Sequence, residues 1–176
     1  MRLGHVPNER AQWAAAGSYM KLAIVIDSTC DLDATELSDL GVERVPLYVN
    51  FQGKMHKDWL DITPADIIAG VAQGADLPTT SQPSPQDFSD VYAKVAAAGA
   101  DQILAICITS ELSGTYQSAS IAAETAKVPV TVFDSRAASL GHGEMARAAA
   151  ALRDRGAGLD DILAALTTIR DTNFVL

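Results

Sequence analysis

The sequence predicts an α/β fold, a parallel sheet with helices on both faces, and three observations carry that expectation. Runs rich in Ile, Val and Leu at residues 21–26 (KLAIVI), 102–108 (QILAICI) and 128–133 (VPVTVF) are too short for helices and are bounded by polar turns. Such runs are the signature of strands buried on both faces. Longer segments of helical period lie between and after them, and strands that alternate with helices build βαβ units around a parallel sheet. Each run also leads into a loop of hydroxyl-bearing and small residues: DSTCDL at 27–32, TSELSGT at 109–115 and DSRAASLG at 134–141. A parallel sheet brings all three loops to its carboxyl edge, where doubly wound folds bind ligands near a reversal of strand order.

Residues 1–19 lack periodicity and contain Pro7, Asn8, Glu9 and Arg10, so they read as a disordered leader, with the folded unit beginning near Met20. After the first strand come a short helix at 34–40 and a strand-like stretch at 42–51 (VERVPLYVNF), which FQGKM then turns into a small hairpin. Helical spacing returns at 63–72, 85–98, 114–126 and 140–155. The alanine runs at 96–98 and 148–151 favour helix and let helices approach closely. Gly156 and Gly158 stand where the fourth of these helices would stop, and spacing resumes at 159–169 with Asp160 and Asp161 in the first turn. The chain ends on RDTNFVL, an apolar run like the start of another strand, which reads as part of something longer.

The 176 residues are 48% hydrophobic, ample for a core of ordinary density. A net charge of −9 with only 13 Lys and Arg argues against nucleic acid as a partner. No run approaches the roughly 18 apolar residues that span a bilayer, so neither membrane insertion nor a secretory signal is expected. Cys30 and Cys107 lack any CxxC or Cys/His pattern and read as reduced thiols of a cytoplasmic protein. His5, His56 and His142 are scattered without metal-ligand spacing and read as surface or loop histidines, so no metal site is expected. Without GxGxxG after the first strand or a phosphate-binding P-loop, no cofactor is expected either.

The stretch LPTTSQPSP, at 77–85, sets three prolines among four hydroxyls and a glutamine. It reads either as a stiff connector or as a ligand loop whose prolines hold donors in place. In LSGT, Ser113 is a natural helix N-cap, while Gly114 lets a ligand approach backbone N–H groups at a helix N-terminus. Simple capping explains the same residues. Asp27 and Asp134 suit loop anchoring, since Asp accepts hydrogen bonds from the N–H groups that follow it.

An enzyme acting on a small phosphorylated substrate is the alternative function at these loops. DSTCD superficially resembles the haloacid dehalogenase type of phosphatase, but Asp27 and Asp31 stand further apart than that chemistry requires. Cys30 at a helix start could serve as a nucleophile, yet no histidine neighbours it in sequence. Hydroxyls without a base point to binding.

Five strings in order, DSTCDL, VPLYV, TTSQPSP, SELSGTYQSA and DSRAASLGHG, resemble the DegV family of bacterial fatty-acid-binding proteins from about residue 21 to the C-terminus. The resemblance implies a two-domain protein in which an α/β domain grips a long-chain fatty acid by its carboxylate and a second domain helps to enclose the acyl chain. Some members present the acid to a dihydroxyacetone-kinase-like fatty-acid kinase, which forms the acyl phosphate for phospholipid synthesis, and no catalysis falls to the carrier. Carried over by position, the carboxylate ligands are Thr80 and Ser113, with Ser81 and the Gly114 N–H beside them and Asp27, Ser28, Thr115, Asp134 and Ser135 as supporting loop residues. Together with the aperiodic leader (1–19), the resemblance implies an α/β head-group-binding domain (20–156) and the start of a truncated second domain (157–176).

Overall fold

The structure, a computed structural model, describes residues 21–172. The expected leader, His5 and the apolar end of the chain after Thr172 lie outside the described residues. Four parallel strands form the main sheet in the order β2-β1-β6-β7: β1 (Leu22–Asp27), β2 (Val42–Val45), β6 (Gln102–Cys107) and β7 (Val130–Asp134). The chain steps outward from β1 to β2, then crosses back past β1 to β6 and β7. Strand order therefore reverses between β1 and β6, the position at which such sheets open a crevice at their carboxyl edge.

Alternation along the strands feeds two cores. On one face Leu22, Ile24 and Ile26 of β1 and Leu104 and Ile106 of β6 pack against helices α1 (Ala34–Leu40), α5 (Ser139–Asp154) and α6 (Leu159–Thr172). The alanine-rich α5 buries Ala146, Ala149 and Ala150 there, which brings its axis close to the sheet. α6, beyond the boundary expected at residue 156, buries Ile162 and Leu166 in the same cluster. On the other face Val25, Ile103, Ala105 and Cys107 meet Phe88, Tyr92 and Val95 of α3 (Pro85–Ala97) and Ala119 and Ala122 of α4 (Thr115–Ala123). Helices α1 and α3 start on capping boxes, Asp33 with Glu36 and Ser84 with Asp87.

Between β2 and β6 the chain builds a small lobe: an antiparallel sheet ordered β4-β3-β5, from β3 (Tyr48–Phe51), β4 (Lys54–Lys57) and β5 (Thr79–Ser81), with helix α2 (Pro64–Ala72). Its core is slight, with Val49, Phe51 and Ile62 buried and Ile67, Val71 and Ala75 partly so. Two sequence expectations change here. The single strand-like stretch 42–51 splits at the buried Pro46 into β2 and β3, which belong to different sheets. The TTS of the proline-rich stretch is a short strand, β5, with Thr80 opposite Val49 and Ser81 opposite Tyr48.

Candidate functional site

Loops of the main sheet and segments of the small lobe meet where the small lobe leans over the carboxyl edge of the main sheet. They enclose an open cavity of about 800 Å³, lined by Thr29, Leu47, Val49, Asp58, Ile67, Pro78, Thr80, Ser81, Gln82, Ile108, Leu112, Ser113 and Gly114. Other cavities of about 580 and 710 Å³ lie within the small lobe and at the opposite edge of the main sheet. The first cavity alone among these three joins the hydroxyl loops. Its walls combine hydroxyl and amide groups with Leu47, Val49, Ile67, Ile108 and Leu112, a mixture suited to an amphiphile.

The turn after β1, Ser28–Cys30, is one turn of 3₁₀ helix. Asp27 is fully buried and anchors it. One of its carboxylate oxygens accepts from Thr29 N (3.0 Å) and Thr29 Oγ1 (2.6 Å), and the other accepts from Ile108 N on β6's exit (2.7 Å). Asp27 therefore staples the two strands that flank the reversal of strand order. Ser28 donates to Asp58 Oδ2 (2.7 Å) and accepts from Leu47 N (3.0 Å), tying this turn to the small lobe.

Ser113 is not the N-cap. Gly114 occupies that position, and Ser113 Oγ accepts from Thr115 N (3.3 Å) while exchanging a hydrogen bond with Thr115 Oγ1 (2.8 Å). Thr115 is buried beneath it. The N-terminus of α4 thus opens into the cavity at Gly114, where the helix dipole favours an anion. A methyl group on Gly114 would lie 2.1 Å from Gln82 Oε1. The absence of a side chain lets Gln82 cross from the small lobe and donate to Ser118 Oγ (3.3 Å). Gln82 thus bridges the small lobe and α4, a contact that no sequence motif marks.

Asp134 and Ser135 take no part in the cavity lining. Asp134 accepts from Ser110 N (3.2 Å), Ser110 Oγ (2.5 Å) and Arg136 N (3.0 Å), and the Ser135 hydroxyl closes a local turn with Ala137. They support the loop that carries Ser113. Asp58, also unmarked by the sequence, is the one formally charged residue among the described residues that line the cavity. Burial pushes its carboxyl above the ordinary value, against the lowering effects of the Ser28 hydrogen bond and the Arg44 guanidinium. The Cys30 thiol is pushed up to about 11 by burial, and that of Cys107 well above its ordinary value, which removes the thiolate a nucleophile needs. His142, expected at the surface or in a loop, is fully buried.

A protein-family model described as "Uncharacterised protein, DegV family" matches residues 21–176. The chain belongs to the DegV family. A DegV domain-containing protein of Deinococcus radiodurans is 40% identical over 150 residues, which cover 85% of this chain and 53% of that protein. A fatty acid-binding protein of Thermotoga maritima is 32% identical over 148 residues, covering 82% of this chain and 51% of its relative. The solved structure of a DegV family protein from Thermus thermophilus, described by its fatty-acid binding, superposes with a TM-score of 0.81 at 46% identity, over 88% of this chain and 55% of that one. This chain spans about half the length of these DegV relatives. Among the described residues no helix is long and apolar enough to cross a membrane.

Proposed function

We propose that this DegV chain binds a long-chain fatty acid, holding its carboxylate with the hydroxyls of Thr80, Ser81 and Ser113 and the N–H of Gly114. The observation that carries this reading is the cavity itself, in which hydroxyls and a helix N-terminus share one space with apolar side chains. Hydroxyl and amide donors form charge-assisted bonds to a carboxylate, and the apolar wall takes methylenes at about 0.8 kcal/mol each. The bound acid is presented, in the cytoplasm, to a dihydroxyacetone-kinase-like fatty-acid kinase that makes the acyl phosphate, and the carrier itself does no chemistry. Both oxygens of Asp27 accept hydrogen bonds from the fold, which speaks against its use as a phosphatase nucleophile.

Calorimetry with dodecanoate and dodecanol tests the carboxylate site. Thr80→Val with Ser113→Ala removes two donors worth roughly 1.5 to 3 kcal/mol each. Dodecanoate affinity falls at least about tenfold while dodecanol affinity stays within about twofold. Unchanged dodecanoate affinity sinks the assigned site. Hydrolysis of p-nitrophenyl phosphate by the chain alone would favour the phosphatase alternative. Acyl phosphate formed only with the kinase and ATP supports the carrier.

A further inference from the structure

Behind the cavity wall, His142 on α5 makes a set of contacts that fixes where its protons sit. Its Nε2 lies 3.2 Å from the carbonyl oxygen of Ile106, which can only accept, so Nε2 carries a proton. Its Nδ1 lies 3.1 Å from Thr29 Oγ1 and 3.8 Å from Asp27 Oδ1, with both His142 and Asp27 wholly removed from solvent. The Thr29 hydroxyl has one proton. Its shorter contact, 2.6 Å, is to Asp27, which accepts, so that proton points to the carboxylate. The Thr29 oxygen then turns a lone pair to Nδ1, a contact that is favourable only if Nδ1 is protonated too.

We infer that His142 is a positioning residue, protonated on both nitrogens, that orients the Thr29 hydroxyl and neutralises Asp27 behind the carboxylate site. The inference rests on the fatty-acid reading above for its consequence but not for the state of the ring. Thr29 lines the cavity, and Asp58, the one formally charged residue among the described residues that line it, is itself acidic. An uncompensated Asp27 directly behind Thr29 would oppose an incoming carboxylate in a low-dielectric setting. The imidazolium cancels that charge without placing a cation in the cavity. α5 is held against the turn because Gly143 has no side chain: a methyl group there would lie 2.4 Å from the Cys30 carbonyl oxygen.

Other acidic groups and thiols described on the elements packed against α5 are neutral, engaged elsewhere or exposed to solvent. Cys30 on the turn and Cys107 at the end of β6 are thiols that burial keeps protonated. Asp31 accepts from Ser139 at the start of α5, Asp33 and Glu36 cap α1, and Glu36 and Glu144 are paired with Arg147. Asp39 on α1 and Asp160, Asp161 and Asp171 on α6 are exposed. Asp27 is the acidic group at the ring.

Nitrogen-15 NMR of the ligand-free chain with labelled histidine, assigned through His142→Gln, reads the ring directly at about pH 7. The expected signal has both His142 nitrogens protonated. A neutral ring carrying only the Nε2 proton overturns the inference, whatever the chain binds. In calorimetry, His142→Gln should weaken dodecanoate binding about tenfold or more, because Asp27 is left a buried charge without its partner, and leave dodecanol within about twofold. Equal loss for both ligands would reduce His142 to a packing residue and overturn the inference. If wild type binds dodecanol but not dodecanoate while the ring is doubly protonated, the carboxylate reading fails instead.

Discussion

The two walls of the cavity rest on very different foundations. Thr29, Ile108, Ser113 and Gly114 project from the main sheet, whose strands are buried between two helical layers with Ile24, Val25, Ile103, Leu104 and Ile106 at or near zero exposure. Thr80, Ser81 and Asp58 belong to the small lobe, where Val49, Phe51 and Ile62 are the buried core and Thr80 and Ser81 remain exposed. Buried apolar surface sets how costly a local opening is. The main sheet therefore supplies a fixed reference and the small lobe an adjustable one. Among the described residues, three hydrogen bonds between side chains register the lobe on the sheet: Ser28 to Asp58, Tyr48 to Asp87 (2.8 Å) and Gln82 to Ser118. Half the proposed carboxylate donors lie on each side of that joint.

The largest effect is expected from Phe51→Ala, which removes a major part of the lobe's core at about 3 to 5 kcal/mol. Amide hydrogen exchange should then show protection lost in β3, β4 and β5 while β1 and β6 keep theirs. Equal loss in both sheets would mean that the walls open as one unit.

A smaller effect is expected where the walls touch. Gly114→Ala forces Gln82 off α4 and breaks its bond to Ser118, at roughly 1 kcal/mol of stability. In denaturant melts, Gln82→Ala should cost little more on the Gly114→Ala background, because both changes remove one contact. Additive losses would show that Gln82 does not register the lobe.

Asp58 sharpens the electrostatic side of the comparison. Its folded carboxyl is raised above the ordinary value, chiefly by burial, so the folded state binds that proton more tightly than the unfolded chain. Its stabilising contribution is present at low pH and is lost as pH rises through the raised value. Asp58→Asn should flatten this part of the stability profile and raise dodecanoate affinity near neutral pH by about two- to fivefold, the scale of a half-exposed like-charge contact. Weaker binding by Asp58→Asn would contradict the placement of the ligand carboxylate in this cavity.

The smallest effect is expected at the cysteines. Cys30→Ala and Cys107→Ala together should change dodecanoate affinity by less than about twofold, since both thiols are neutral and buried in packing roles. Native protein at neutral pH should resist iodoacetamide. Rapid alkylation of Cys30 in the folded state would revive the nucleophile that its raised pKa disfavours.

Local chemistry made much of the fold and part of the site legible in the sequence. The apolar runs at 21–26, 102–108 and 128–133 coincide closely with β1, β6 and β7, and the TTSQPSP and LSGT strings both reach the cavity. These signals are short-range: burial on two faces demands continuous apolar runs, and caps and stiff loops are written within a few residues. IDS at 26–28 and FDS at 133–135 are likewise short local strings, and both aspartates anchor the turn that follows, each accepting from the N–H two residues on. Tertiary packing gave them different roles. Asp27 on the inner strand β1 is buried against His142, whereas Asp134 on the edge strand β7 holds the Ser113 loop from outside. The same is true of the split of 42–51 between two sheets, the pairing of TTS with β3, the burial of His142 and the partial burial of Asp58. Strand partnership and desolvation depend on residues dozens of positions away, and propensity or periodicity over a short window carries no information about them.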